Sequence, residues 1–330
     1  MKKYNWGIIG PGSIARRFAG GLSVLPNAVR YGIGSRDLGR AKTFADEYGF
    51  EKAFGSYAEL IADDNVDAVY VSTPHPQHEE AVIACLNAKK AVICEKPFAA
   101  NADQVARMIE CARKNGVFLM EAMWTRFLPS ICKLRELLAE GAIGKVLHVY
   151  ADFGFRAGVN PEGRLFNPAA AGGSIMDIGV YNISFCSMIF GRQPDRIQSQ
   201  MSIGSTGVDE SAAAIFHYIG GQSASLFSAI RVTTAHDAAI YGEDGYIKLP
   251  GYWHGDTILL TNKGATQEYK LPFESTGFQY EAAELMACLD NGLLESPIIP
   301  LDESLAVMKT ADKIRFDNNL RYPFECNESL

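Results

Sequence analysis

The chain has 330 residues, 48% of them apolar and 21% charged, with a formal net charge of −7. Such a length exceeds one ordinary hydrophobic core and suits two domains of a soluble globular protein. The negative balance argues against a nucleic-acid surface or an anionic-membrane surface, so any bound phosphate must be held by a local set of donors.

Met1-Lys2-Lys3 enters the first strand directly and leaves no room for a hydrophobic leader, so a cytoplasmic protein is expected. No apolar run of membrane-spanning length is evident. The seven cysteines, at 85, 94, 111, 132, 186, 288 and 326, form no Cys-x-x-Cys pair and no Cys/His metal spacing. They read as reduced thiols, with no metal site.

Tyr4 to Ile9 is a short apolar run, followed by Gly10-Pro11-Gly12-Ser13-Ile14-Ala15 and an amphipathic stretch to about Leu25. This is strand, glycine turn and helix. Gly10 permits the tight turn, Gly12 lets the backbone approach a pyrophosphate, and Ala15 is small enough for helix and strand to pack. The amides at the helix start, from Ser13 and Ile14 onward, then face the phosphates.

The next strand, Ala28 to Gly34, ends in Ser35-Arg36-Asp37. An acidic residue at that strand end would bond the ribose hydroxyls of NAD and repel a 2′-phosphate. Here the tip is Ser35 and Arg36, with Arg40 one helical turn on, and a guanidinium forms paired bonds to phosphate. NADP is therefore expected, with NAD possible. Arg36 and Arg40 as solvated helix-start residues, with Asp37 a simple N-terminal acid, is the alternative.

Strands and helices keep alternating: Val66–Ser72, Gln77–Ala88, Ala91–Cys94, Ala102–Asn115 and Val117–Glu121. That period predicts a doubly wound parallel sheet, so residues 1–122 read as a Rossmann domain. Thr73, Pro74 and His75 follow the strand Val66–Ser72 and are expected to line the dinucleotide groove, with His78 a lining residue at most. Ala91-Val92-Ile93-Cys94-Glu95-Lys96-Pro97 carries a strand straight into a carboxylate, an ammonium and a proline. Ligands gather beyond the carboxyl ends of such strands, and the proline restricts the lysine before it. On these seven residues alone, a strand that happens to end in lysine is the simpler account.

After Ala122 the grammar changes. A helix follows Met123–Pro129, then a long strand Lys145–Phe155, then strands at Ala212–Ile219, Gln222–Ile230, Ala238–Gly242, Tyr246–Leu249 and Thr257–Thr261. Gly220-Gly221 reads as a two-residue hairpin turn. Residues 123–330 are thus expected to form an α+β domain with a large, mainly antiparallel open sheet, closed by helices near Gln279–Asn291 and Glu303–Asn318. An open sheet of this size implies a homodimer or homotetramer interface. Within this half, Ala171-Gly172-Gly173 enters an apolar helix carrying Asp177 and Tyr181, four residues apart and so on one face. Spacing alone leaves a satisfied core pair and a functional pair equally open.

Together Gly10–Ala15, Ser35-Arg36, Thr73-Pro74-His75, Glu95-Lys96-Pro97 and Gly173–Tyr181 resemble the glucose–fructose oxidoreductase / inositol dehydrogenase / MocA (Gfo/Idh/MocA) family. Met120–Pro129 and Asp-Ile-Gly-Val-Tyr are similar to the branch holding dimeric dihydrodiol dehydrogenase and NADP-dependent D-xylose 1-dehydrogenase. The resemblance implies that Lys96 bonds the reacting oxygen and that Lys96–Pro97 is cis. It implies that Tyr181, standing where inositol dehydrogenase-like members carry histidine, is the proton donor and acceptor, eased by Lys96. Asp177 would orient the substrate or Tyr181, and Glu95, Arg40 and Tyr280 match cofactor-contacting positions.

The activity so implied is NADP-dependent hydride transfer at a CH–OH or C=O carbon of a sugar, polyol or trans-dihydrodiol. Trp124, Arg126, Phe155, Arg156 and Arg164 are candidates for a substrate cleft. A non-catalytic NADP-binding sensor on the same fold is the competing reading.

Overall fold

The computed structural model describes residues 2–325. They pack into two compact units, residues 2–127 with 273–305 and residues 128–272 with 306–325.

In the first unit, strands β1 (Tyr4–Ile9), β2 (Ala28–Gly34), β3 (Lys52–Phe54), β4 (Ala68–Val71), β5 (Ala91–Glu95) and β6 (Leu119–Ala122) form a parallel sheet in the order β3-β2-β1-β4-β5-β6. Helices α1 (Ser13–Leu22), α2 (Leu38–Tyr48), α3 (Tyr57–Ala62), α4 (His78–Asn87) and α5 (Ala102–Asn115) make the crossovers. Every residue of β4, β5 and β6 is buried, as expected when helices cover both faces of a sheet. Helix α5 has the predicted bounds because its ends are chemically marked. Asn101 accepts from the Gln104 amide at 3.0 Å, and Gly116 closes the helix at φ +61°. The strand order reverses at β1 and β4, and that switch point is where a doubly wound sheet binds its ligand.

The second unit starts with α6 (Pro129–Ala139), β7 (Val146–Gly154) and α7 (Val180–Phe190). Strands β8 (Arg196–Ile203), β9 (Asp209–His217), β10 (Ser223–Ala229), β11 (Ala238–Gly242), β12 (Gly245–Leu249), β13 (Thr257–Asn262) and β14 (Ala265–Lys270) follow. With β7 they form an eight-stranded sheet in the order β14-β13-β12-β11-β7-β10-β9-β8, antiparallel at every neighbouring pair except β7 with β10. Strand β14 carries no sequence signal because it is a solvated edge without apolar alternation. The β9–β10 turn is longer than expected. The Tyr218 amide donates to the Gln222 carbonyl at 3.0 Å, so Ile219 joins Gly220 and Gly221 in the loop.

The helical stretch Pro168–Phe190 is, against expectation, long and apolar enough to cross a membrane, but 83% of its apolar window is buried inside the protein. A helix apolar all round is what a core position requires.

The chain closes with α8 (Gln279–Asp290) and α9 (Leu301–Asp317). Here the expected single boundary at residue 122 gives way to a discontinuous division, because packing places 123–127 and 273–305 with the first unit. Helix α8 lies so close to α1 that a Cβ on Gly21 would come 2.7 Å from the Gln279 nitrogen. Tyr4 donates its hydroxyl to Asp290 at 2.7 Å, and the Leu119 amide donates to the Leu294 carbonyl at 3.1 Å. The alternation of strand and helix stops at 122, but a helix belongs to whatever buries its apolar face. The cysteines at 85, 94, 111, 132, 186 and 288 are free thiols, and Cys326 lies outside the described residues.

Candidate active site

At the end of β1, Gly10 takes φ +94°, and a Cβ there would press on the Ser72 carbonyl oxygen at 3.2 Å. Ser72 holds the turn by donating its hydroxyl to the Ile9 and Gly10 carbonyls at 3.0 and 2.9 Å. Gly12 caps α1 in extended conformation, with nothing within 4 Å of where its Cβ would stand. No acidic residue occupies the first turn of α1, so the helix start presents amides to open space, with Ser13 exposed and Ile14 half-buried. Ala15 is fully buried against the sheet.

The β2 tip separates its charges. Ser35 is buried and accepts from the Asp37 amide at 3.2 Å. The Asp37 carboxylate turns to α2, where it accepts from the Arg40 amide at 3.1 Å. That carboxylate is engaged as a helix cap, and Arg36 and Arg40 are both exposed. After β4, Thr73 is buried and its hydroxyl has no partner among the described residues, which marks a place where a bound polar group would be welcome. Pro74 and the buried His75 continue the same loop. These features fit a dinucleotide: space over a helix start, a phosphate-competent pair of arginines and an unsatisfied hydroxyl.

His78 is fully buried, which corrects its expected place as a lining residue. Its Nε2 lies 2.8 Å from the Thr73 carbonyl, and its Nδ1 lies 3.1 Å from that of Pro97. It therefore ties the loop after β4 to the turn after β5. Burial is the main influence on its pKa and holds it below the usual imidazole value. At that turn the Lys96–Pro97 peptide is cis. Glu95 accepts from the Tyr70 hydroxyl, and its other oxygen accepts from the Lys96 amide at 3.1 Å.

Tyr280 is half-buried in the first turn of α8. Just ahead of it, Phe278 stacks on Trp124 with centroids 4.8 Å apart. Arg126 is buried and bonded to Glu303 at 2.5 Å. Of the expected substrate residues, then, Trp124 and Arg126 are engaged in the packing of their own unit.

In the second unit, Ile175–Gly179 forms a π-helical turn that runs into α7, so the segment bearing Asp177 and Tyr181 is wider than the expected α-helix. Such turns recur at functional sites. Asp177 is buried and bonded to the exposed Arg164 at 2.7 Å, so these two candidates come together. Phe155 is half-buried, whereas Arg156 is exposed and forms a backbone bridge to Arg231.

Tyr181 is 6% exposed, with its ring 5.5 Å from Phe153 and 6.5 Å from Trp253. Trp253 stacks on Phe153 at 4.8 Å and donates Nε1–H to His236 Nδ1 at 3.3 Å. His236 Nε2 donates to the Gly154 carbonyl at 2.6 Å, which together with the tryptophan bond identifies the neutral Nε2–H tautomer. Sequence reasoning missed Phe153, His236 and Trp253. Its available signal was the glycine-flanked aromatic loop Gly251-Tyr252-Trp253-His254-Gly255.

The Gly172-Gly173 pair meets the protein's own atoms. A Cβ on Gly172 would come 2.6 Å from the Arg164 carbonyl oxygen, and one on Gly173 would come 2.0 Å from Asp209 Oδ1. Asp209 is fully buried and accepts from the Ser174 hydroxyl at 2.7 Å and the Ile175 amide at 2.8 Å. It thus caps the helix that presents Asp177 and Tyr181. Tyr322 holds the same turn by donating its hydroxyl to the Gly172 carbonyl at 2.8 Å.

Burial raises the Asp209 pKa to about 6. A carboxyl raised in the folded state contributes stability that is full below its unfolded value and is lost as pH climbs through the folded one. The window is roughly pH 4 to 6, and about 2 units amount to about 3 kcal/mol. Asp209→Asn, which cannot ionise, is therefore expected to gain on the parent by that order between pH 4 and pH 7. Thermal unfolding of both proteins at the two pH values checks it, and a difference independent of pH would rule it out.

Two family models match the chain: the oxidoreductase family with an NAD-binding Rossmann fold over residues 4–123, and the GFO/IDH/MocA C-terminal domain over residues 131–248. The trans-1,2-dihydrobenzene-1,2-diol dehydrogenase of Mus musculus is 39% identical over 329 residues, spanning 96% of this chain and 98% of its own length. The chain belongs to the Gfo/Idh/MocA family. The enzyme of the same name from Homo sapiens is 38% identical over the same 96% of this chain and 98% of its own.

Among solved structures, the aldose-aldose oxidoreductase of Caulobacter crescentus complexed with glycerol superposes with a TM-score of 0.89 at 25% identity, covering 96% of this chain and 98% of its own. The 3-ketoreductase KijD10 of Actinomadura kijaniata, in complex with NADP and TDP-benzene, does so with a TM-score of 0.84 at 25% identity and the same coverage. This Gfo/Idh/MocA chain is accordingly an oxidoreductase with a Rossmann unit for a nicotinamide nucleotide.

Proposed function

We propose that the protein is an NADP-dependent dehydrogenase that oxidises a carbinol of a trans-dihydrodiol, with sugars and polyols as the wider substrate class. The observation that carries this reading is Tyr181 set against Phe153 and Trp253. A phenol at the edge of an aromatic wall suits a substrate with one polar edge and an apolar ring. The dihydrobenzenediol dehydrogenases at up to 39% identity support it.

Gly10, Gly12, Ser13 and Ile14 would hold the pyrophosphate, Ser35, Arg36 and Arg40 the adenosine end, and Thr73, Pro74, His75 and Tyr280 the remainder. A nicotinamide held there would supply the hydride acceptor for the carbinol carbon. Lys96 hydrogen-bonds the reacting oxygen and stabilises negative charge on it as the C–H bond breaks. Tyr181 takes the hydroxyl proton, and in the reverse direction returns it. Asp177, fixed by Arg164, orients Tyr181 or the second hydroxyl.

The test is to mix the protein with NADP and follow absorbance of the reduced nucleotide across trans-dihydrodiols, aldoses and inositols. Fastest turnover on a dihydrodiol is expected. Tight NADP binding with no turnover on any of them would favour the sensor reading instead. For the nucleotide, Arg36→Ala is expected to weaken NADP about tenfold and leave NAD unchanged, the scale of one charge-assisted contact. Equal weakening of both would overturn the assignment of the β2 tip.

The proposal extends to a cytoplasmic homodimer or homotetramer assembled through the open sheet. Strand register places Ile215, Tyr150 and Tyr241 on one face of that sheet, each 39–45% exposed, which supports it.

A further inference from the structure

Trp253 sits in a loop whose backbone is tied down on both sides of it. The buried Tyr252 donates its hydroxyl to Asn182 Oδ1 at 2.5 Å, and its amide donates to the His236 carbonyl at 2.9 Å. On the other side, the Ser130 hydroxyl donates to the Gly255 carbonyl at 2.7 Å. Asn182 follows Tyr181 in α7 and donates to the Phe227 carbonyl at 2.9 Å, so the loop is anchored on the helix that presents the phenol. What these bonds leave open is rotation of the indole about its own side-chain torsions. Stacking on Phe153, with the two rings 19° apart, fixes the plane of the indole, but a stacked plane leaves open which edge points where.

His236 chooses the edge. The indole N–H is a donor only, and His236 Nδ1 accepts it at 3.3 Å. His236 Nε2 donates to the Gly154 carbonyl at 2.6 Å, which fastens the imidazole to the end of β7. A neutral imidazole offers one donor and one acceptor on a single rigid ring, and both are used here. Backbone geometry does not ask for histidine at this position. His236 stands at φ +62°, where glycine and asparagine are the easy choices. The conformation is held by Asp152, 3% exposed, which accepts from the His236 amide at 3.1 Å and the Asp237 amide at 3.2 Å. A buried carboxylate thus keeps a backbone shape that sets an imidazole between β7 and the indole.

We propose that His236 is a positioning residue that fixes the edge of the Trp253 indole beside Tyr181, and that it thereby sets the preference for a substrate with an apolar ring. The proposal deepens the dehydrogenase reading and rests on it for the substrate preference. The bond between His236 and Trp253 is independent of any turnover.

His236→Gly and His236→Asn both remove the ring and both accept the positive φ. They differ in one respect: asparagine keeps an acceptor, its Oδ1, in place of Nδ1. In the full-length protein, NMR reads the indole N–H signals of Trp6, Trp124 and Trp253, and Trp253→Phe identifies the last of them. That signal is expected to move upfield and exchange faster with solvent in His236→Gly, and to stay near its parent position in His236→Asn. With NADP present, the KM for trans-1,2-dihydrobenzene-1,2-diol is expected to rise roughly five- to tenfold in His236→Gly, the scale of one neutral hydrogen bond. Its kcat, and the KM for D-xylose, should stay within about twofold of the parent. His236→Asn is expected to return the diol KM to within about twofold of the parent. In a Trp253→Phe background, His236→Gly should add less than about twofold, since a residue that acts through the indole has nothing left to act on.

An indole signal displaced equally in both variants, or in neither, overturns the bond. Equal rises in KM for the diol and for D-xylose, or a full effect of His236→Gly in the absence of the indole, overturn the role in substrate preference. A parent protein that turns over neither substrate counts against the dehydrogenase reading and takes the substrate preference with it, whereas the positioning of Trp253 is decided by the indole signal alone.

Discussion

Replacing Lys96 by methionine is expected to lower kcat by roughly 10³-fold, with NADP binding weakened less than about tenfold. Methionine keeps the length of the side chain and removes the ammonium, so the loss isolates charge from packing. The backbone that holds the residue is secured separately. The Lys96 amide is bonded to Glu95, and His78 grips the Pro97 carbonyl, so the turn should survive the substitution. A charge that stabilises the reacting oxygen only as the C–H bond breaks appears in kcat and leaves nucleotide binding nearly intact. Pre-steady-state absorbance of the reduced nucleotide reads the chemical step directly. Retention of more than about a tenth of the parent rate would remove Lys96 from the reaction.

For Tyr181→Phe, a loss of roughly 10²–10³ in kcat is expected, the range of a single general acid–base group. The ring contacts with Phe153 and Trp253 remain, so the melting temperature should move by no more than a few degrees, the equivalent of about one hydrogen bond. The two substitutions should also be far from additive, because Lys96 and Tyr181 are proposed to serve the same proton. A double variant scarcely slower than Lys96→Met alone is the expected result. Fully multiplicative losses would mean that the two side chains act on different steps, and the proposed division of labour between them would then fail.

Several elements were legible because their determinants are local. The β1–α1 turn announces itself through glycines whose dihedral angles and spacing only that turn requires. Helix α5 has its predicted bounds because Asn101 and Gly116 mark its ends. Asp37 entered the sequence reading only as a simple N-terminal acid beside solvated arginines. Its bond to the Arg40 amide makes it a cap and leaves the two arginines exposed. His78 was misjudged because a polar residue near a strand end looks solvent-facing until its burial and partners are known.

The sequence by itself determined the alternating sheet and helices of the first unit, the Glu95-Lys96-Pro97 turn at a strand's carboxyl end, and the helix bearing Asp177 and Tyr181. Hydrophobic period, glycine and proline act over a few residues, so they can be read along the chain. Only the tertiary structure decided that α8 returns to the first unit, that the glycines before the Tyr181 helix make room for Asp209, and that Phe153 and Trp253 flank Tyr181. These facts turn on which distant segments exclude water from which side chain, and no local pattern encodes desolvation by residues from other elements of the chain.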